Sequence, residues 1–205
     1  MLSQSKRVFF GDCVFLVNEN VYEPAEDSFL SAENLDVKAG ESVLDMGVGC
    51  GILAIIAAKK AKSVVAVDVN PYALRCARMN AELNDTRSNM DFVLSDLFAS
   101  FHGTAKFDVI LFNAPYLPTE KGEGDSWLEA AWAGGESGRQ VIDRFISEVA
   151  QYLKPCGYVL LLQSTLANVD ETVNKFVKQR MQARVIREVA TPFFETLTLL
   201  KAELI

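Results

Sequence analysis

Between residues 42 and 163 short apolar runs alternate with helical stretches, and that alternation leaves few folds open to the chain. Ser42 to Met46 reads as a strand, followed by a glycine-bearing loop and a helix over Ile52 to Lys62. Val64 to Val67 is a second strand that ends at Asp68. Pro71 stands at a helix start, where its missing N–H costs little, and that helix continues to about Asn84. Met90 to Leu94 and Phe107 to Phe112 are the third and fourth strands. A helix follows over Gly138 to Leu153, and Pro155-Cys156-Gly157 turns into a strand from Tyr158 to Gln163. Strands separated by helices lie parallel, because the helical crossover returns the chain to the same end of the sheet. A helix near 168–180 and two strands near 184–190 and 194–202 complete the pattern. Those two strands have no helix between them, so they pair antiparallel. The expected fold class is α/β: a mostly parallel seven-stranded sheet with one antiparallel strand and helices on both faces.

Ahead of this core, residues 8–17 are apolar with partial alternation and predict a short hairpin, and a helical stretch runs to about Leu35. With 205 residues, half of them apolar, the chain is expected to form a single domain over 1–205 with an N-terminal arm of about 35 residues. Four cysteines stand at 13, 50, 76 and 156 without CxxC spacing, and there is one histidine, so no metal site is expected. The formal net charge of -7 leans away from nucleic acid as a partner. The N-terminus lacks the pattern of a signal peptide, and no apolar run reaches membrane-spanning length. A cytoplasmic protein with no membrane association is expected, with a nuclear pool if the source is eukaryotic.

The loop between the first core strand and its helix reads Asp45-Met46-Gly47-Val48-Gly49-Cys50-Gly51. Glycines there permit a tight turn and let the backbone approach a ligand closely. Asp68 ends the next strand, where a carboxylate can accept both hydroxyl protons of a ribose. Asp96, after the third strand, is placed to accept from an adenine amino group. A dinucleotide site expects GxGxxG, whereas this loop reads GxGxG, and three acidic strand ends would repel a pyrophosphate. They suit a cofactor that joins a cationic amino acid to adenosine, which describes S-adenosylmethionine, with S-adenosylhomocysteine as its product. The candidate cofactor contacts are Asp45, Gly47, Gly49, Gly51, Asp68, Val69, Asp96, Leu97 and Asn113, together with Tyr22, Glu26, Asp27 and Ser28 from the arm. Asp27 or Ser28 can instead cap the helix that follows them.

The fourth strand delivers Asn113, Ala114, Pro115 and Tyr116 to its carboxyl end, the end where open parallel sheets bind ligands. An amide oxygen and a free carbonyl can each accept one N–H of a planar NH2 group, and an aromatic face can stack on it. No acid, base or metal ligand stands among the four, so the set suggests chemistry on an amide or amino nitrogen by orientation. Residues 117–137 follow as a long glycine-rich loop of the kind that is more often functional than decorative.

These residues resemble the class I S-adenosylmethionine-dependent methyltransferases, whose Rossmann-like fold the element order matches. Asn113-Ala114-Pro115-Tyr116 resembles the NPPY signature of enzymes that methylate amide or amino nitrogens, with Ala114 in place of a proline. Tyr22-Glu23-Pro24-Ala25-Glu26-Asp27-Ser28 is similar to the YEPAEDT segment of one branch. Glu129-Ala130-Ala131-Trp132-Ala133-Gly134-Gly135, Gly138-Arg139 and Asp143-Arg144-Phe145 resemble that branch too. It is the short eukaryotic and archaeal release-factor branch of the HemK-type protein-glutamine methyltransferases. The resemblance implies N5-methylation of the glutamine in the Gly-Gly-Gln loop of a class I translation release factor. It implies Asn113, Ala114, Pro115 and Tyr116 as the catalytic set, and a small zinc-binding activator protein as heterodimer partner.

Two other acceptors are compatible with the same four residues. An adenine N6 in nucleic acid would have to be held outside its stack, and the best basic segment for that is Lys175, Lys178, Arg180, Arg184 and Arg187. A lysine in a basic peptide would be drawn by an acidic rim of Glu23, Glu26, Glu120, Glu123 and Asp125.

Overall fold

A computed structural model describes residues 5–120, 126–192 and 195–205. The described residues fall into two compact units, one ending at Ser100 and one beginning at Phe101.

The first unit opens on a hairpin, β1 (Lys6–Phe10) and β2 (Cys13–Val17), in which Phe10 pairs with Cys13 across a two-residue turn. Helix α1 (Glu26–Glu33) leads to β3 (Ser42–Met46), α2 (Ile52–Ala58), β4 (Ser63–Asp68), α3 (Pro71–Leu83) and β5 (Met90–Leu94). The three core strands lie in the order β5-β4-β3, all parallel. Their connections through α2 and α3 explain that order, since parallel neighbours need a helical crossover. Helix α2 stops at Ala58, short of the expected Lys62. The Asn89 side-chain amide donates to the carbonyls of Ala58 and Ala61 at 2.9 and 3.0 Å, so the helix end is satisfied there.

A two-stranded ribbon is marginal in water by itself, and β2 is held by side chains. Asn84, at the C-cap of α3, accepts from the Val14 N–H at 3.0 Å and donates to the Val14 carbonyl at 2.8 Å. Asn80, one turn earlier, accepts from the Leu16 N–H at 2.8 Å and donates to the Leu16 carbonyl at 2.9 Å. Residues four apart on a helix share a face and advance by about 6 Å, close to the step between alternate residues of a strand. The two amides therefore take the place of a neighbouring strand.

The second unit holds β6 (Phe107–Asn113), α4 (Trp127–Ala130), α5 (Gln140–Val149), β7 (Leu153–Ser164), α6 (Val169–Lys178), β8 (Met181–Ala190) and β9 (Thr196–Leu204). Its strands lie in the order β6-β7-β9-β8. β6 and β7 are parallel, and β9 runs antiparallel to both of its neighbours. The two units together supply the seven strands of a mostly parallel sheet with one reversed strand, as the alternation of runs predicts. Ile142, Phe145, Ile146 and Val149 form the buried stripe of α5, and the Phe145 ring lies 4.6 Å from that of Phe112 in β6.

Several boundaries differ from expectation. Helix α5 begins at Gln140, with Arg139 as its N-cap and Gly138 at a φ of 71°, outside the helical range, and it tightens into a 3-10 turn over Ala150–Tyr152. The expected turn at Pro155-Cys156-Gly157 lies within β7, where Cys156 has a φ of 65° and the pairing with β6 shifts register between Phe107 and Val109. That extra length is accommodated as a bulge. β8 begins at Met181, earlier than expected, and Phe194, the expected start of the last strand, lies outside the described residues.

Candidate functional site

Two clusters account for the predicted site residues, one in each unit. In the first unit, β3 ends in the glycine loop. The N–H groups of Gly47 and Val48 donate to the Val67 carbonyl at 2.8 and 2.9 Å, which ties the loop to the end of β4. Gly47, Gly49 and Gly51 all have positive φ. A Cβ at Gly49 would meet nothing within 4 Å, so the backbone there borders open space that a ligand can enter.

Asp68 closes the loop from the far side. One carboxylate oxygen accepts from the Gly49 N–H at 3.0 Å and the other from the Asn70 N–H at 2.8 Å. Desolvation raises its pKa above the ordinary carboxylate range, against the lowering effect of those backbone donors. Each oxygen keeps a further lone pair for a hydroxyl. The Ser95 N–H donates to the Asp68 carbonyl at 3.0 Å, which sets the ends of β4 and β5 side by side. Beyond them Asp96 is exposed and Leu97 buried, with Leu97 at a φ of 47°. Val69 offers a half-exposed apolar surface next to Asp68.

Asp45 is 1% exposed. It accepts a hydrogen bond from the Ala54 backbone N–H in the first turn of α2, while its Oδ2 is buried with no hydrogen-bond partner among the described residues. Desolvation pushes its pKa up to about 8, and the nearby Asp68 charge adds to that rise. A buried carboxyl with an unused oxygen is costly unless something completes it.

The arm residues gather in the same unit. Asp27 Oδ1 accepts from the Ser28 N–H at 2.6 Å and from the Ser28 hydroxyl at 3.1 Å, and Tyr22 donates its hydroxyl to Asp27 Oδ2 at 3.3 Å. Asp27 and Ser28 are buried, and Glu26 is exposed. The N-cap of α1 is Ala25, with no side-chain bond, so neither Asp27 nor Ser28 caps that helix. Sequence reasoning missed Asn70, whose side chain accepts from the Tyr72 N–H at the start of α3 and donates to the Asn20 carbonyl of the arm. An asparagine one residue before Pro71 carries that signal in the sequence.

In the second unit, Asn113 ends β6 opposite Leu162 of β7. Ala114, 2% exposed, donates its N–H to the Leu162 carbonyl at 3.3 Å. The ladder thus runs one residue beyond the strand, and alanine uses the donor that a proline would lack. Asn113, Pro115 and Tyr116 are partly exposed beside it.

The expected loop is only partly irregular. Its residues 121–125, including Glu123 and Asp125 of the expected acidic rim, lie outside the described residues. Ser126 and Glu129 form a capping box on α4. Leu117 and Ala133 form an isolated parallel bridge, with the Leu117 N–H donating to the Trp132 carbonyl at 3.0 Å and the Gly134 N–H to the Leu117 carbonyl at 2.8 Å. Of the other rim acids, Glu23 pairs with Lys6 at 2.6 Å. In the basic segment, Lys175 is engaged by Asp143 and Glu171.

Comparisons with known proteins point to methyltransferases. Residues 27–114 match the family model described as ribosomal protein L11 methyltransferase (PrmA). Over 186 residues the chain is 47% identical to a Methanocaldococcus jannaschii protein that bears the name of a protein N5-glutamine methyltransferase, covering 89% of this chain and 92% of that one. It is 34% identical over 172 residues to human methyltransferase HEMK2, covering 78% of this chain and 79% of that one. Among solved structures, a chain of the E. cuniculi Mtq2-Trm112 complex, described as responsible for methylation of the eRF1 translation termination factor, aligns with a TM-score of 0.70. It shares 25% identity and covers 91% of this chain and 99% of its own. A T. thermophilus 16S rRNA N2 G1207 methyltransferase solved with AdoMet and guanosine aligns with a TM-score of 0.72 at 22% identity, over 98% of this chain and 50% of its own, a likeness of fold alone.

Proposed function

The chain belongs to the HemK-type protein-glutamine methyltransferases and has the class I methyltransferase fold, and from that premise we propose that it methylates the N5 amide nitrogen of the glutamine in the Gly-Gly-Gln loop of a class I translation release factor. The observation that carries the acceptor class is the end of β6, where an amide side chain, a carbonyl and an aromatic face follow one another from Asn113 to Tyr116.

The residues of the first unit fit S-adenosylmethionine. The unpartnered Asp45 Oδ2 suits a cationic amino group, the Asp68 carboxylate suits ribose hydroxyls, and the space beside Gly49 leaves room for close approach. Gly47, Gly51, Val69, Asp96 and Leu97 would complete that cradle, and Tyr22, Glu26, Asp27 and Ser28 would line it from the arm. When bound, the cofactor supplies an electrophilic methyl group on a sulfonium.

What the chain's own residues do follows from the weakness of an amide nitrogen as a nucleophile. Asn113 Oδ1 and the Ala114 carbonyl each accept one substrate N–H, fixing the nitrogen and stabilising the positive charge that grows on it. Tyr116 stacks on the amide plane, and its ring would also favour the sulfonium charge by a cation–π contribution of about 0.5–2 kcal/mol. Orientation supplies effective molarities on the order of 10⁵–10⁸ M in well-built sites. A small activator protein as partner is supported by the neighbour solved as a Mtq2-Trm112 complex, and zinc in such a partner is implied by the family resemblance.

The test is transfer of labelled methyl to a release factor and to its loop Gln→Ala variant, with and without a co-expressed activator. Label on the wild-type factor alone is expected, and Asn113→Ala should lower kcat by about 10²–10³-fold. Equal labelling of the Gln→Ala factor, or transfer to a lysine peptide or to DNA instead, would overturn the glutamine assignment.

A further inference from the structure

Arg139 is 4% exposed, and its charge is surrounded by partners that have no part in the chemistry described above. Nη1 donates to the carbonyls of Ala167 and Asn168, the latter at 2.8 Å, and to Thr172 Oγ1 at 3.0 Å. Nη2 donates to Asp143 Oδ1 at 2.7 Å, and Nε faces Glu171 Oε2 at 3.4 Å. Lys175 bridges the same two acids. Thr172 in turn donates to Gln163 Oε1 at 2.6 Å, and the Gln163 amide reaches the Ala167 carbonyl at 3.4 Å. One guanidinium thus joins the end of β7, the turn after it and the first turn of α6. A buried charge is expensive and well-packed apolar residues often replace one without loss, so its retention calls for a positional reason.

That reason lies one residue away. Gly138 packs so closely on the Tyr116 carbonyl that a Cβ there would sit 2.3 Å from the oxygen. Gly138 also lies under Gly134, whose added Cβ would meet Gly138 backbone at 2.6 Å. Gly134 is bonded to Leu117, and the Thr119 N–H donates to the Gly135 carbonyl at 3.0 Å. The backbone from Tyr116 to Thr119 is therefore clamped along the 133–138 segment, and the far end of that clamp is Arg139. Two residues before that stretch the chain is tied to β7 through the bond from the Ala114 N–H to the Leu162 carbonyl.

Resting on the amide-methylation reading, we infer that Arg139 is a positioning residue: through Gly138 it fixes the Tyr116 backbone against the end of β7 and so sets the geometry of the Asn113–Tyr116 acceptor set. It touches no reacting atom. Displacing such a set by about 1 Å can cost on the order of 10²-fold in rate.

The experiment compares Arg139→Met, Arg139→Lys and Gly138→Ala with wild type in the full chain, with the activator if transfer requires it. For Arg139→Met kcat should fall by about 10–100-fold. The cofactor Kd should stay within about threefold of wild type, a free-energy change of roughly 0.7 kcal/mol. The Leu117, Thr119 and Gly134 amides should exchange with solvent faster. Arg139→Lys keeps a cation for the carbonyls and should recover part of kcat. Gly138→Ala leaves the guanidinium bonds in place, displaces the Tyr116 carbonyl and should reproduce the kcat loss. If Arg139→Met does not fold, Arg139→Lys decides the matter: a partial kcat loss with faster exchange at Leu117 and Gly134 supports the role, and wild-type kcat and exchange overturn it. A positioning role is overturned by wild-type kcat in Arg139→Met or Gly138→Ala, or by unchanged exchange at Leu117 and Gly134. A wild-type enzyme that leaves the Gly-Gly-Gln loop unlabelled overturns the substrate reading instead, and the exchange rates still decide the role of Arg139.

Discussion

Ala114 stands where the resembling signature has proline, and its amide explains why the exchange is tolerable. The bond to Leu162 contributes about 0.5–1.5 kcal/mol to stability, which a proline would lose because its nitrogen has no N–H. The carbonyl needed for the substrate N–H is present in either residue. Ala114→Pro is expected to change kcat by less than about fivefold, since that acceptor is kept; fivefold is about 1 kcal/mol of barrier. An inactive wild type rescued by Ala114→Pro would show that the ring matters more than the carbonyl. Asp45 makes a second prediction. Its folded pKa of about 8 stands above the unfolded value near 3.8, so the unfolded chain loses its proton first as pH rises. Stability contributed by the neutral carboxyl is complete below about pH 4 and is lost progressively up to about pH 8, by at most about 1.4 kcal/mol per pH unit. Cofactor-free protein should therefore melt lower at pH 8 than at pH 5, and Asp45→Asn should flatten that slope. An unchanged slope in thermal melts of Asp45→Asn would remove Asp45 as its cause.

Among the elements, the strands and α3 were the most legible, because runs such as Val64 to Val67 and the Pro71 start carry period and cap together. The start of α5 was not, since Gly138-Arg139-Gln140 contains nothing that forbids a helix; contact with the Tyr116 carbonyl decides it. The bridge between Leu117 and Ala133 was equally invisible, being a pairing across sixteen positions with no alternation to announce it. The hairpin was expected, but what holds it was not. Asn80 supports both β2 and the glycine loop, for its amide also donates to the Cys50 carbonyl at 2.8 Å. Asn80→Ala would leave Leu16 and Cys50 groups buried without these partners, at a cost of about 2–4 kcal/mol. Faster amide exchange in β2 and weaker cofactor binding should accompany the lower melting temperature. Wild-type exchange at Leu16 would show that the arm is held by other contacts.

For the molecule as a whole, the candidate site was read from the sequence where chemistry follows pattern: glycines and acids at strand ends, then Asn113 to Tyr116. Asn70 shows its cap role in the sequence but not its bond to Asn20, and Asn80 carries no pattern at all, because those partners are backbone groups far along the chain; Arg139 was visible only within a resembling motif. Charge is a property of the same scale. The net charge of -7 disfavours phosphates overall, and Lys175 is engaged by Asp143 and Glu171, while Lys178, Arg180, Arg184 and Arg187 are exposed. Binding of the protein to duplex DNA at low salt should accordingly be weak, with a shallow dependence on salt concentration. A steep slope, approaching -0.9 per phosphate contacted for several phosphates, would restore a nucleic-acid substrate to consideration.

The amides that stand in for a strand can be tested by changing one atom. Asn80→Asp changes the side chain's shape hardly at all, yet it exchanges a group with two donors for a carboxylate that can only accept. The carbonyls of Leu16 and Cys50 would then face negative charge where they now receive hydrogen bonds. Arm and glycine loop would loosen together, so this variant should lose its hold on both while the sheet itself is unaffected.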